Sequence, residues 1–178
     1  MIEQAANFLK KYEGFLRSAQ WDVNAWRIGY GSDTITNTDG SVRKVQQGDT
    51  TTEQDAQRDL KRRITEEFIP RIISQIGPGF NDLPSGAQIA LISIAYNYGS
   101  VPHAKIRAAA SQGDLTALKS LWISETYNDN KKLSESFRNA LRARRAAEAA
   151  LIPTDKKKVL LIIAAGLTAA AIFLNDKK

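Results

Sequence analysis

Residues 12–32 read YEGFLRSAQWDVNAWRIGYGS, and the changes of texture on either side of this stretch decide the fold. Upstream, Ile2, Ala5, Phe8, Leu9, Tyr12 and Phe15 or Leu16 recur at helical spacing. Gly14 marks the helix end and leaves Glu13 at the mouth of whatever follows. From residue 20 to residue 50, β-branched and aromatic side chains mix with glycines, and Asp39-Gly40 is a hairpin-turn signal. This segment predicts a small antiparallel sheet. Thr50 and Glu53 then form a capping box that opens a long helix. Its apolar stripe runs Ala56, Leu60, Ile64, Phe68, Ile72 and Ile76, with a kink expected at Pro70 and an end at Gly77-Pro78-Gly79.

Downstream the pattern is helical. Pro84 near a helix start and Gly99 just past its end frame SGAQIALISIAYNY as a buried helix. A short helix follows Pro102, and Asp114 caps another that carries Leu115, Leu118, Leu121 and Trp122. A polar loop, SETYNDNKK, precedes an Ala- and Arg-rich helix over 134–151 that Pro153 stops. The predicted class is α+β: a small antiparallel sheet and a larger helical lobe joined by the long helix.

Composition narrows the chemistry. The chain has 178 residues, 43% hydrophobic and 25% charged, enough to bury one ordinary core. It contains no cysteine, which removes disulfides, zinc-thiolate sites, iron–sulfur clusters and thiol nucleophiles. A single histidine, His103, argues against a histidine metal site or a Ser-His-Asp triad and reads as a surface residue. Catalysis would rest on carboxylates, hydroxyls, amides and Lys/Arg, with no metal and no organic cofactor expected. The net charge of +6 suits polyanions such as an acidic wall, anionic lipid or nucleic acid. A nucleic-acid partner would rest on charge alone and is not expected.

The N-terminus lacks a basic leader followed by an apolar core, so no signal peptide is expected. The other end is a different material. VLLIIAAGLTAAAIFL, from Val159 to its last residue Leu174, is uncharged and lies between Lys156-Lys157-Lys158 and Asp176-Lys177-Lys178. As a helix it would extend about 24 Å, a little short of a bilayer core of roughly 30 Å, with lysines able to snorkel. The expected organisation is a domain over 1–152, a basic linker over 153–158, a membrane helix over 159–174 in contact with a lipid bilayer, and a polar C-terminus over 175–178.

Glu13 at a helix end and Asp22 nine residues later are the notable acidic pair. Cleavage of a glycosidic bond needs one carboxyl group that holds a proton for the leaving oxygen. A second must stay ionised to hold a water or stabilise an oxocarbenium-like transition state. A helix end among Tyr12, Phe15 and Trp26 and a wetter loop would supply two different environments. Nineteen acidic residues generate many such pairs, so spacing alone does not select this one.

The surrounding residues do. Glu13-Gly14, Asp22 and Ile28-Gly29-Tyr30-Gly31 resemble, in order, the active-site segment of the phage-type lysozymes, the muramidases of glycoside hydrolase family 24. GDTTTEQDAQRDL, residues 48–60, is similar to that family's entrance to its interdomain helix. LPSGAQIALISIAYNYGS matches its buried helix through Gln88, Ala90, Leu91, Asn97 and Gly99, and LRARRAAEAAL its closing helix through Arg144, Arg145 and Glu148. The resemblance covers nearly all of residues 1–152 and implies a lysozyme-like fold with a glycan-binding cleft.

It also implies that Glu13 is the general acid and Asp22 the second catalytic carboxylate. The family usually places a threonine six residues after this Asp, before the Ile-Gly. Here Arg27 occupies the third catalytic position, five residues after Asp22, and Ser32 replaces the usual histidine. Arg27 would either pair with Asp22 or Glu13 or grip substrate while Ser32, Thr34 or Thr36 holds the water. Trp26, Tyr30, Gly31 and Asn97 are the expected substrate contacts. Trp21, Trp122, Tyr96 and Tyr98 read more simply as core, and Lys61-Arg62-Arg63 as a solvated helix face.

The expected activity is cleavage of the β-1,4 bond between N-acetylmuramic acid and N-acetylglucosamine in peptidoglycan. Inverting hydrolysis, retaining hydrolysis and lytic transglycosylation stay open, and the alternative from another class is an inactive wall-binding module. A membrane-anchored enzyme without an export signal would belong to a virion membrane, or else to the host inner membrane during lysis. Other virion or lysis proteins would be its partners.

Overall fold

A computed structural model describes residues 1–126 and 134–154. The chain divides after Pro102, and the expected site residues all belong to the first unit. Helix α1 spans Ile2–Glu13, buries Ala5, Ala6 and Leu9 and packs on α2 and α4. It stops at Gly14, whose φ of 67° is open to glycine at little cost.

The expected single sheet is two separate hairpins. Strand β1 (Leu16–Asp22) pairs antiparallel with β2 (Ala25–Gly29), and β3 (Thr34–Thr36) with β4 (Val42–Lys44). Asp39-Gly40 lies between β3 and β4 as expected. The break between the hairpins comes from Gly29 and Gly31, at φ 61° and 80°. They reverse the chain so tightly that Ile28 and Ser32 exchange both backbone hydrogen bonds, at 2.9 and 3.0 Å. The first hairpin turns through Val23 and Asn24, with Val23 at φ 46° and 90% exposed. A β-branched residue in that region costs on the order of 1–3 kcal/mol.

Helix α2 is Glu53–Arg63, and its cap is Thr52, not Thr50: the Thr52 hydroxyl accepts the Asp55 amide at 3.1 Å and donates to the Asp55 carboxylate at 2.7 Å. Thr50 is still bridged to Ser18, and the Thr51 amide is given to the Arg17 carbonyl at 2.9 Å. The chain is therefore extended for two residues more. The apolar stripe is buried along its whole length, from Ala56 to Ile76. Just before Pro70 the helix widens into a π turn, Ile64–Phe68, where the Ile69 amide reaches back to the Ile64 carbonyl, before α3 (Ile69–Ile76) resumes. Widening relieves the clash between a proline ring and the carbonyl four residues earlier while keeping the stripe on one side.

After a 3₁₀ turn (Pro78–Asp82), helix α4 runs Ser85–Tyr98 and ends at Gly99 with φ 80°. Every residue from 87 to 95 is buried, which explains its unbroken apolar sequence. In the second unit, α5 (Ala104–Ser111), α6 (Leu115–Thr126) and α7 (Glu135–Leu151) follow. Asp114 caps α6 through the Ala117 amide at 3.0 Å, and α6 continues through Ser124, Glu125 and Thr126, which had read as loop. Glu148 is fully buried and takes hydrogen bonds from Trp122 Nε1 at 3.0 Å, Arg144 Nε at 3.3 Å and Arg145. That motif is thus a compensated buried charge in the second unit's core. His103 is exposed ahead of α5. Among the described residues no helix is long and apolar enough to cross a membrane; the segment 159–174 lies outside them.

Gly29 sets how closely β2 approaches α2. A Cβ there would stand 2.8 Å from the Ala56 Cβ, and the backbone conformation disfavours a side chain. Gly29→Ala should therefore lower stability by about 3 kcal/mol, read as a reduced urea midpoint at unchanged slope.

Candidate active site

Glu13 is the last residue of α1, half-buried, with Oε1 shut off from solvent. Beside it runs the Gly29-Tyr30-Gly31 turn: a Cβ on Gly31 would lie 3.9 Å from Glu13 Oε2. The turn is pinned from below. The Tyr96 hydroxyl, on α4, donates to the Tyr30 carbonyl at 2.5 Å. The buried Tyr30 ring meets Phe15 at 5.6 Å between centroids and lies under the Lys10 ammonium at 5.6 Å. Burial pushes the Tyr96 phenol far above its usual range. Arg63 opposes this, while the charges of Glu13, Asp59 and Glu67 add to it. The hydroxyl accordingly stays a donor at any working pH.

Asp22 ends β1 with its side chain 65% exposed, and Arg27 Nε stands 3.9 Å from its Oδ2. The cross-strand pairs Gln20–Arg27, Trp21–Trp26 and Asp22–Ala25 alternate between the two faces of the hairpin. Asp22 and Arg27 therefore share one face, and the two tryptophans share the other. Trp26 touches Trp21 edge-on at 5.7 Å, and it also lines, with Ala25, Arg27 and Asp33, an open hollow beside the hairpin. Trp21 is 60% exposed and is not core, whereas Trp122 is. Asn97 is exposed in the last turn of α4, next to Tyr96, and Tyr98 is also exposed.

Asp33, which the sequence did not single out, organises the cations. Its Oδ2 accepts Lys44 Nζ at 2.6 Å, and its Oδ1 faces Arg27 Nη1 at 3.7 Å and Arg63 Nη2 at 4.0 Å. Arg27 thus has two carboxylates, Asp22 and Asp33. The hydroxyls proposed as water holders are otherwise engaged. Thr34 and Thr36 donate to Asp59 Oδ1 at 3.2 and 2.6 Å, Ser32 bonds Thr34 at 3.1 Å, and Arg62 reaches both threonines at 2.9 and 2.8 Å.

Those contacts also correct the reading of Lys61-Arg62-Arg63 as a solvated face. Arg62 and Arg63 are largely covered, Arg63 lying over the rings of Phe68 and Tyr96 at 5.3 Å each. They look outward in a helix read alone, but β3 and α4 fold over them. No group of three or more acidic, cysteine or histidine side chains suited to a metal ion occurs among the described residues.

The family model for phage lysozyme matches residues 10–148. Among solved structures, the chain is similar to the muramidase domain of SpmX from Asticaccaulis excentricus, at 20% identity and a TM-score of 0.60 over 85% of this chain and 96% of that one. It is similar to a point variant of phage P22 lysozyme at 22% identity and a TM-score of 0.62, covering 84% and 94%. An endolysin from Escherichia coli phage FAHEc1 matches at 18% identity and a TM-score of 0.55, covering 84% and 90%. These likenesses establish an α+β, lysozyme-like fold. Sequence comparison with curated proteins returns no match.

Burial alone would raise the Asp33 pKa, but the hydrogen bond from Lys44 and the charges of Lys44, Arg63 and Arg27 outweigh it and hold it below the ordinary carboxylate range. The folded carboxyl therefore ionises more readily than the unfolded one. Its contribution is complete above the unfolded value of about 4 and is lost as pH falls through the lower folded value. Asp33→Asn should cost about 1–2 kcal/mol at pH 7, and the gap between variant and wild type in urea unfolding should close steadily below about pH 4.

Proposed function

We propose a muramidase mechanism for this chain, which belongs to the phage lysozyme family and is a glycoside hydrolase with peptidoglycan as its substrate. The bond cut is the β-1,4 link between N-acetylmuramic acid and N-acetylglucosamine. Glu13 donates a proton to the glycosidic oxygen, and Asp22, as the ionised partner, supports the positive charge that develops on the sugar or the water that attacks it. The observation that carries this reading is the contrast between the two acids. One is half-buried at a helix end against Gly31, and the other is exposed at a hairpin turn beside a cation.

Arg27 takes the third position and acts on Asp22 directly. A guanidinium beside the site of an oxocarbenium-like state would oppose it, and Asp33 offsets that charge from the other side of Arg27. Gly31 forms the floor against which the glycan lies, with Asn97 at its edge, while Tyr30, expected as a substrate contact, is buried and supports that floor from beneath. The substitution of Arg27 for a hydroxyl favours lytic transglycosylation as the second reading, because an activated water then loses its usual holder. Residues 159–174 serve as the membrane anchor, on the strength of their uncharged sequence between lysines. A virion membrane is the favoured location and the host inner membrane the alternative, since fixed attachment suits local opening of the wall.

Mass spectrometry of digested peptidoglycan tests the reading. The wild type should release muropeptides, and Glu13→Gln should reduce that release by about a hundredfold or more at unchanged thermal stability. Reducing ends identify hydrolysis and anhydro ends transglycosylation. Undiminished release by Glu13→Gln would remove Glu13 from the reaction, and an inert wild type would leave a wall-binding module.

A further inference from the structure

Asp59 is a buried acid that the proposed mechanism leaves unused. It sits on α2, 3% exposed, and its two oxygens have different surroundings. Oδ1 accepts the Thr34 hydroxyl at 3.2 Å, the Thr36 hydroxyl at 2.6 Å and Arg62 Nη2 at 3.4 Å. Oδ2 is closed to solvent and meets no donor among the described residues. An acceptor in that position loses its hydration with nothing in return, which native interiors seldom tolerate. Asp59 also lines a small hollow, walled by Ile28, Gly29 and Tyr30 of the glycine turn and by Ala56 and Leu60 of α2. About 10 Å³ of it is open to the centre of a water-sized sphere, room for a single molecule. An orphaned acceptor and a cavity of that size thus coincide at one point.

We propose that this hollow is a binding site for one internal water, which donates to Asp59 Oδ2 and ties the glycine turn to α2. An acceptor selects a ligand that brings an O–H or N–H, so an anion does not fit. The size admits nothing larger than a single heavy atom. A bare cation fits less well than water. It would need about six oxygens around it, whereas Ile28, Ile35, Ala56 and Leu60 give much of the wall to carbon. Arg62 already supplies positive charge to the carboxylate. Water needs only roughly two to four polar partners. Beyond Asp59, the hydroxyl residues Ser32, Thr34 and Thr51 and the bare backbone of Gly29 belong to the same wall. A molecule held there gives the turn a tie to α2, beside the one that Tyr96 makes from α4. The site stands whichever bond the enzyme cuts.

The full chain is crystallised and its structure refined at high resolution, from one crystal as grown and one soaked in thallium acetate. The expected result is a fully occupied peak within about 3.2 Å of Asp59 Oδ2 that thallium leaves unchanged. An empty hollow overturns the proposal. So does an anomalous thallium peak there, which would mark a monovalent-cation site, and so does an Asp59 carboxylate turned onto a protein donor. The tie itself is tested with Leu60→Phe, in a variant whose own crystal structure shows the hollow filled by the larger ring. Oxygen-17 relaxation dispersion should then show the loss of a long-lived water present in wild type. The Ser32 amide, which bonds the Ile28 carbonyl at 3.0 Å, should exchange with solvent about tenfold faster. An unchanged water signal or unchanged Ser32 exchange refutes the tie. The wild-type crystals decide the site whether or not that variant folds.

Discussion

The hydrogen bond from the Tyr96 hydroxyl to the Tyr30 carbonyl is the constraint on which the candidate active site depends. The segment it holds is intrinsically unfavourable for most sequences, since Gly29 and Gly31 both have positive φ and the residue between them must point its ring into the core. A buried donor on the apolar helix α4 makes that conformation specific, because the alternative leaves a polar group unsatisfied in the interior. Burial also keeps the phenol protonated, so the donor does not fail as pH rises through the range where an ordinary tyrosine ionises. Everything nearby inherits its position from this contact. Gly31 is set beside Glu13, Gly29 is set against Ala56, and the chain is turned so that Ser32 and Asp33 begin the second hairpin.

Charge placement is the second layer. Three cations from three elements, Arg27 on β2, Lys44 on β4 and Arg63 on α2, converge on Asp33. Such convergence stabilises little at a solvated surface, but Asp33 is partly covered and Arg63 is buried among aromatic rings. The result is a fixed arrangement in which Arg27 is shared between two carboxylates. The arginine that stands where the sequence resemblance led to the expectation of a hydroxyl thus has a local partner, and the pair Arg27–Asp33 has to be read together.

Much of this was legible in the sequence because it is local. The α1 stripe and its glycine stop, the Asp39-Gly40 turn, the six-residue stripe through Ile76 and the frame of Pro84 and Gly99 each depend on neighbours a few residues away. Glu13 at a helix end and a pairing of Arg27 with a nearby carboxylate were readable for the same reason, whereas the choice of Asp22 over Glu13 came from the strand register. What escaped depends on partners far along the chain. Thr50 lost the cap to Thr52 because Arg17 and Ser18 hold residues 50 and 51 extended. Arg62 and Arg63 read as solvated because no local pattern announces that Thr34, Thr36 and Tyr96 will close over them. Asp33 looked like any other acid until its cations arrived from other elements. The one signal available was its position directly after the glycine turn, where a side chain is bound to sit near the site.

Trp26 shows how register, more than composition, decides a role. Its neighbour Arg27 lies on the face with Asp22, and a shift of one residue in the pairing of β1 and β2 would exchange them. The register that pairs Gln20 with Arg27 and Asp22 with Ala25 puts the arginine on the carboxylate's face and sets Trp21 and Trp26 against each other at the positions between. The cation beside Asp22 and the paired indoles are therefore two consequences of one strand pairing.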